Sequence, residues 1–241
     1  MKNVLLVDAV AWSNAYAAEH PLKNVARWFV RWFGDFNNFT LARVSAEDDP
    51  AAILRHQTHG VIVSGSPRDA WSDDPVNARL CELIAAWRDR GVPVLGVCYG
   101  HQILGRALGG RVGRHPAGLA LGNTTVELTP AGRECALFAG LPDRFEVLSS
   151  HADAVLQMPP GGGLLARSGH TENEAFHWNH QLFGVQFHPE TDPEVLRFLW
   201  QPRREMWRSR VSFDLDATLA ALRPTPAGAA ILHNFVQRIV P

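Results

Sequence analysis

Residues 91–102 read Gly-Val-Pro-Val-Leu-Gly-Val-Cys-Tyr-Gly-His-Gln. The apolar run Val92–Val97 ends abruptly, and polar residues follow. A continuous apolar run of this kind suits a strand buried on both faces, as in the parallel sheet of an α/β fold. At its end stands Cys98, with Gly96 and Gly100 two residues away on either side. A sharp strand-to-helix turn strains its apical residue and leaves no room for side chains two positions before and after. The pattern predicts a nucleophile at the carboxyl end of a strand, where the chemistry of open α/β sheets collects. The competing reading is a buried packing cysteine beside glycines that let a helix approach the sheet. Gly-x-Cys-x-Gly by itself does not separate the two.

Other short apolar runs occur outward from this turn: Val4–Val7 within a strand over residues 3–8, Gly60–Val63, Thr125–Leu128, Phe145–Leu148 and Leu182–Phe187. The clearest helix is Pro75–Arg90. Asp73 or Asp74 can cap it, Pro75 suits its first turn, and Gly91 stops it. Val76, Leu80, Leu83, Ile84 and Trp87 share one face at helical spacing. Strand–helix–strand order predicts an α/β fold with a mostly parallel open sheet and helices on both faces. A further helix starts at Asp192–Glu194, and the tail from about Arg203 reads as two more, split by Pro224 and Pro226. With no repeat or linker in view, residues 1–241 read as a single domain with C-terminal helices from about 192.

Bulk properties exclude several classes. The chain has 241 residues, 46% hydrophobic and 20% charged, enough for a substantial core. A formal net charge of −1 offers no field for nucleic acid or an anionic membrane. The only lysines are Lys2 and Lys23, so no lysine later in the chain can serve catalysis. Cys81, Cys98 and Cys135 form no CxxC pair, and a reducing cytoplasm suits them. The apolar start of the chain is interrupted by Asp8 and is read as a strand, not a signal peptide. Eleven histidines show no metal-binding spacing, so neither a metal nor another cofactor is expected.

A thiol nucleophile needs a base. The run Leu182–Phe187 ends in His188-Pro189-Glu190. A residue before proline is pushed toward extended backbone, where residues two apart point to the same side. His188 and Glu190 can therefore face one site, which yields a Cys98–His188–Glu190 triad. The predicted helix from Tyr99 adds N–H groups and a partial positive charge that favour a thiolate. The Tyr99 N–H would face a developing oxyanion. Gln102, one helical turn after Cys98, could hold a substrate beside the sulfur.

Together, GVCYGHQ (residues 96–102) and FHPE (187–190) resemble the class I glutamine amidotransferases. Two more segments agree in order: VIVSGSPRDAWSDD from Val61, and SSHAD from Ser149 to Asp153. The resemblance implies a flavodoxin-like glutaminase fold. It also implies attack on a γ-glutamyl amide, a thioester at Cys98, and hydrolysis by water. By the same carry-over, the backbones of Ser66 and Tyr99 form the oxyanion hole. Gln102, Ser150, His151, Ala152 and Asp153 contact the substrate. Many relatives have glycine at the positions of Ser66 and Ala152. A backbone N–H survives both changes, while the added side chains can reshape the pocket.

No Walker-type loop is present. Gly161–Ala166 matches Gly-x-Gly-x-x-Ala but follows Pro159-Pro160 and reads as a turn. Two enzymatic readings stay open. One is a glutaminase subunit with a separate synthase partner; the other is a stand-alone γ-glutamyl peptidase. In both, the substrate is a small γ-glutamyl molecule, with no nucleic acid or membrane involved. SGSPRDAWSDD is closer to the stand-alone branch that includes γ-glutamyl peptidases and GMP-synthase-like proteins. The related Cys-elbow stress proteins and peptidases fit less well, because they generally lack the downstream His-Pro-Glu. A catalytically silent binding module is the alternative of another class. Trp71 is a candidate pocket residue that could select the leaving group or simply anchor its loop. Trp28, Phe29, Trp32, Phe33 and Phe36 read as core packing before a partner surface. His101 reads as a supporting residue.

Overall fold

The computed structural model describes residues 1–17, 19–33 and 38–241. Its strands are β1 (Lys2–Asp8), β2 (Phe39–Ser45), β3 (Gly60–Val63), β4 (Val94–Val97), β5 (Arg111–Arg114), β6 (Ala120–Leu128), β7 (Arg144–His151), β8 (Asp153–Gln157), β9 (Gly162–Ser168), β10 (Ala175–Trp178) and β11 (Leu182–Val185). Its helices are α1 (Val25–Val30), α2 (Pro50–Leu54), α3 (Pro75–Asp89), α4 (Tyr99–Ala107), α5 (Pro130–Glu134), α6 (Pro193–Trp200), α7 (Arg204–Arg208), α8 (Leu215–Ala220) and α9 (Ala227–Asn234).

Nine strands form one sheet in the order β2-β1-β3-β4-β11-β10-β9-β6-β7. From β2 to β11 the pairings are parallel. From β11 to β7 they are antiparallel. The expected α/β sheet is present, extended by an antiparallel wing that the apolar runs alone did not specify. Strands β5 and β8 form a separate two-stranded ribbon.

The central strands β3, β4 and β11 are buried at every position, which accounts for their unbroken apolar sequences. Successive side chains alternate between two cores. Val4 and Leu6 of β1 join a cluster with Phe29 of α1 and Ile231 of α9. Leu5 and Val7 join the opposite cluster, with Leu80, Leu83, Ile84 and Trp87 of α3 and Ile103 and Leu104 of α4. Helix α3 starts as expected: the Asp74 side chain accepts from the Val76 N–H at 2.9 Å. It stops where Gly91 takes a φ of +71°. In a third cluster, Leu196 and Trp200 of α6 and Leu215 and Leu219 of α8 pack with Leu148 of β7.

Two sequence readings need correction. Residues 162–166, read as part of a turn, begin strand β9, which pairs with β10 and β6. A β-carbon on Gly163 would lie 2.4 Å from the His177 ring of β10, so the glycine lets that ring lie over β9. The tail forms three helices, not two. Asp214 accepts from the N–H groups of Asp216 and Ala217 and so starts α8 ahead of the prolines. Among the described residues no helix is long and apolar enough to cross a membrane.

Candidate active site

Cys98 stands where β4 turns into α4, with φ 52° and ψ −102°. A non-glycine residue in such a region costs about 1–3 kcal/mol and persists only when its surroundings hold it. Its N–H donates to Val185 O of β11 at 2.8 Å, and its carbonyl accepts from the Gln102 N–H at 3.0 Å. The flanking glycines leave no space. A β-carbon on Gly96 would lie 2.4 Å from Gly100 O, and one on Gly100 would lie 2.3 Å from Val63 O. Helix α4 therefore rests directly on β3 and β4, with its first N–H groups beside the thiol.

Strand β11 lies next to β4, so the two strand ends bring His188 to Cys98. The His188 N–H donates to Leu148 O at 2.8 Å, which anchors it to β7. Its ring Nδ1 is 2.8 Å from Oε1 of Glu190, a residue only 1% exposed. Trp32 Nε1 and Arg31 Nη2 both donate to the Glu190 carbonyl, at 2.8 and 3.1 Å. Burial opposes charge on His188. The Glu190 carboxylate and the Cys98 sulfur outweigh it and hold the imidazole well above its ordinary range. The Cys98 thiol points to Ser150 O at 3.9 Å, and Gln186 Nε2 donates toward the sulfur at 3.7 Å.

Two cavities meet at Cys98. Gln102, His151, Ala152, Asp153 and Arg114 are among the residues lining a groove of about 350 Å³. A recess of about 50 Å³ contains His188, Glu190, Val10, Trp28 and Leu199. Ser66, Ser150 and Arg203 border both. The Ser66 hydroxyl accepts from the Arg68 N–H at 3.2 Å, so it is engaged by its own loop. The Ser150 hydroxyl accepts from Trp200 Nε1 at 2.8 Å. Gln102 is buried, and its amide nitrogen donates to Asp153 O at 2.9 Å and to Gln186 Oε1 at 3.2 Å. That leaves its amide oxygen as the polar atom available to the groove. His151 Nδ1 lies 2.9 Å from Asp153 O. Burial pushes both His151 and His101 down to about 3, so both rings are neutral at pH 7. His101 packs against Phe176 with ring centroids 4.9 Å apart and does not line the groove.

The residues that sequence reasoning missed are polar partners from separate elements. Gln186 was hidden in the run Leu182–Phe187, and its polarity inside an apolar strand end was the only signal. Arg114 Nη1 is 3.3 Å from Asp153 Oδ1, and its Nη2 is 3.2 Å from Asp69 Oδ1. Burial and the nearby Asp69 push the Asp153 carboxyl up, against the pull of Arg114. Arg106 of α4 clamps the 69–72 loop by donating to Ala70 O and Ser72 O, both at 2.7 Å. Tyr99 donates its hydroxyl to Asn77 Oδ1 at 2.5 Å, and Asn77 in turn donates to Asp69 O. Trp71 lines neither cavity. Its indole N–H donates to Asp153 Oδ2 at 3.0 Å, so it braces a carboxylate that does line the groove. Trp28, Phe29 and Phe33 are core, and Phe36 lies outside the described residues.

The family model described as glutamine amidotransferase class-I matches residues 25–197. The chain is 36% identical over 171 residues to γ-glutamyl peptidase 5 of Arabidopsis thaliana, covering 70% of this chain and 68% of that protein. It is 44% identical over 131 residues to the glutamine-hydrolyzing GMP synthase of Aeropyrum pernix, covering 54% of this chain but only 24% of that protein. Among solved structures, a glutamine amidotransferase from Thermotoga maritima superposes with a TM-score of 0.76 at 20% identity, covering 99% of this chain and 98% of that one.

Proposed function

This chain belongs to the class I glutamine amidotransferase family, and from that premise we propose that Cys98, His188 and Glu190 hydrolyse a γ-glutamyl amide. The Cys98 sulfur attacks the γ-carbonyl carbon. The N–H groups of Tyr99 and Ser66 receive the oxyanion. As the carbon–nitrogen bond breaks, His188 gives its proton to the leaving nitrogen, and a γ-glutamyl thioester remains on Cys98. Water then attacks the thioester, its proton passes to His188, and as the carbon–sulfur bond breaks glutamate leaves and His188 returns the proton to the sulfur. Glu190 keeps the imidazole in the tautomer whose Nε2 faces the sulfur and stabilises its charged form. Gln102, Ser150, His151, Ala152 and Asp153 surround the amino-acid end of the substrate.

The observation that carries this reading is the 2.8 Å His188–Glu190 contact, buried and set beside a strained cysteine. A packing cysteine needs neither. The free thiols Cys81, Cys98 and Cys135 suit a reducing, cytoplasmic setting. A second reading, favoured by the likeness to one part of GMP synthase, is a glutaminase subunit that passes ammonia to a separate synthase. Glutamate release from glutamine and from γ-glutamyl peptides, with Cys98→Ala as control, tests both. Rapid peptide cleavage lost in the variant supports the self-sufficient enzyme. Weak glutamine turnover alone supports the subunit. Turnover unchanged by Cys98→Ala refutes the mechanism.

A further inference from the structure

The groove has a wall that the motifs did not assign. It comes from Trp200–Arg210, beyond residue 197 where the family match ends. Trp200, Arg203, Met206, Trp207 and Arg210 all line the groove. Arg203 also lines the recess that contains His188. It therefore borders both the proton donor of the reaction and the open groove beyond.

The charges along the groove are unevenly matched. Arg68 pairs with Glu47 and Asp74, and Arg114 pairs with Asp69 and Asp153. Arg203 and Arg210 have no carboxylate partner among the described residues. Arg203 rests against the Tyr16 phenol, whose own proton is donated to Leu199 O at 2.7 Å. Arg210 lies over the Trp207 ring, 5.9 Å from its centroid. The Tyr16 phenol and the Trp207 ring carry no charge to match either arginine, and Met206, 50% exposed, adds apolar surface to the same groove.

A γ-glutamyl group brings one ammonium and one carboxylate, which balance each other. Asp69, Asp153 and Arg114, which line the groove and pair with one another, already offer both signs to such a zwitterion. The extra positive charge at Arg203 and Arg210 calls for a further anion, attached to an apolar body. Glutamine, whose leaving group is ammonia, has none. We propose that the Trp200–Arg210 wall is a leaving-group subsite that reads a carboxylate on the departing amine. The preferred substrates are then γ-glutamyl conjugates of apolar amino acids. Arg203 and Arg210 hold the carboxylate, while Met206 and Trp207 cover the side chain. The bond broken is the γ-amide carbon–nitrogen bond, and the amino acid leaves with the His188 proton.

This inference rests on the Cys98 reading above, and one experiment separates the two. With the purified full chain, kcat/KM is measured for γ-glutamyl-leucine, for its carboxamide γ-glutamyl-leucinamide, and for glutamine. Cys98→Ala is the control. The acid should exceed its carboxamide by about 10–100-fold, the worth of one charge-assisted hydrogen bond. Arg203→Gln and Arg210→Gln should each move that ratio toward one. Arg210 is exposed, so its variant gives a usable result even where Arg203→Gln does not fold. A wild-type ratio near one, with turnover that depends on Cys98, overturns the subsite and leaves the Cys98 chemistry standing. The subsite is equally overturned if every variant that folds keeps the wild-type ratio. No Cys98-dependent turnover of any of the three compounds overturns both.

Discussion

Replacing Glu190 by glutamine keeps the side-chain shape and removes one charge. In the wild-type site the carboxylate accepts from His188 Nδ1 at 2.8 Å and is only 1% exposed. Glutamine can present an N–H to Nδ1 in its place. The ring proton then moves to Nε2, and the imidazole can no longer accept from the Cys98 thiol. Leaving a buried charge without its partner costs about 3–5 kcal/mol. If the barrier rises by that amount, kcat/KM falls by about 10²–10⁴-fold. The pH profile should change as well. His188 is held above its ordinary range by Glu190 and Cys98 against the effect of burial. Without the carboxylate, burial has the larger say, and the imidazolium is lost at lower pH. The alkaline limb of activity therefore moves down. Stability follows the same sign. A histidine whose folded pKa is raised stabilises the fold fully below its unfolded value, about 6.5, and that contribution fades as pH rises through the folded value. The variant should lose this slope. The assay is glutamate release across pH 5–10 with circular dichroism at each pH. Activity within about threefold of wild type, or an unmoved alkaline limb, would refute the reasoning.

Other predictions rest on single distances or single buried groups. Gly96→Ala places a methyl 2.4 Å from Gly100 O and 2.5 Å from Gly100 C, both backbone atoms that no rotamer change can relieve. Overpacking of this kind costs about 1–3 kcal/mol, or roughly 2–12 °C in Tm for a chain of this size, and activity should collapse with the elbow. Gly169→Ala, with nothing within 4 Å, is the neutral control. Calorimetry that ranks the two equal would show that the elbow is not tightly packed. Glu174 is 1% exposed, its Oε2 has no hydrogen-bond partner, and burial pushes its carboxyl up to about 7. An acid with a raised folded pKa stabilises the fold below its unfolded value, about 4.5, and that contribution is lost as pH rises through 7. Glu174→Gln should therefore gain on wild type as pH rises, reaching about 3 kcal/mol above pH 8 by denaturant titration. A gap that does not change with pH would mean that the carboxyl is not buried uncharged. His101 and His151, both held down to about 3, give the opposite trend. Their stabilising contribution is present above about 6.5 and is lost as pH falls toward 3, so replacing either by an uncharged residue should flatten the acid side of the Tm profile.

The parts legible in the sequence were those whose physics is local. Unbroken apolar runs marked β3, β4 and β11 because those strands are buried on both faces. Asp74, Pro75 and Gly91 bounded α3 because capping and chain reversal involve neighbouring residues. Gly96 and Gly100 around Cys98 pointed to a tight turn, and the spacing of those atoms in three dimensions shows why only glycine fits. Less regular elements did not stand out. Strands β5 and β8 form a short ribbon with mixed burial, and β2 lies at the sheet edge with most of its residues partly exposed. Strand β9 opens with two glycines and looked like a turn. A glycine beside a histidine ring on the next strand has no local signature.

The cysteine elbow and the pairing of His188 with Glu190 could be read from residues within a few positions of one another, and the fold class from the order of apolar runs and helices. How these pieces meet is a matter of sheet order and packing. Strands β4 and β11 are far apart in the chain but adjacent in the sheet, and that adjacency sets His188 beside Cys98. The tertiary structure also showed that the Gln102 amide nitrogen is held by Asp153 and Gln186, that Trp71 braces Asp153, and that Arg203 and Arg210 reach the groove from the C-terminal tail. Such contacts join side chains across long stretches of chain, and their partners are chosen by the packing of whole elements, so no local pattern records them.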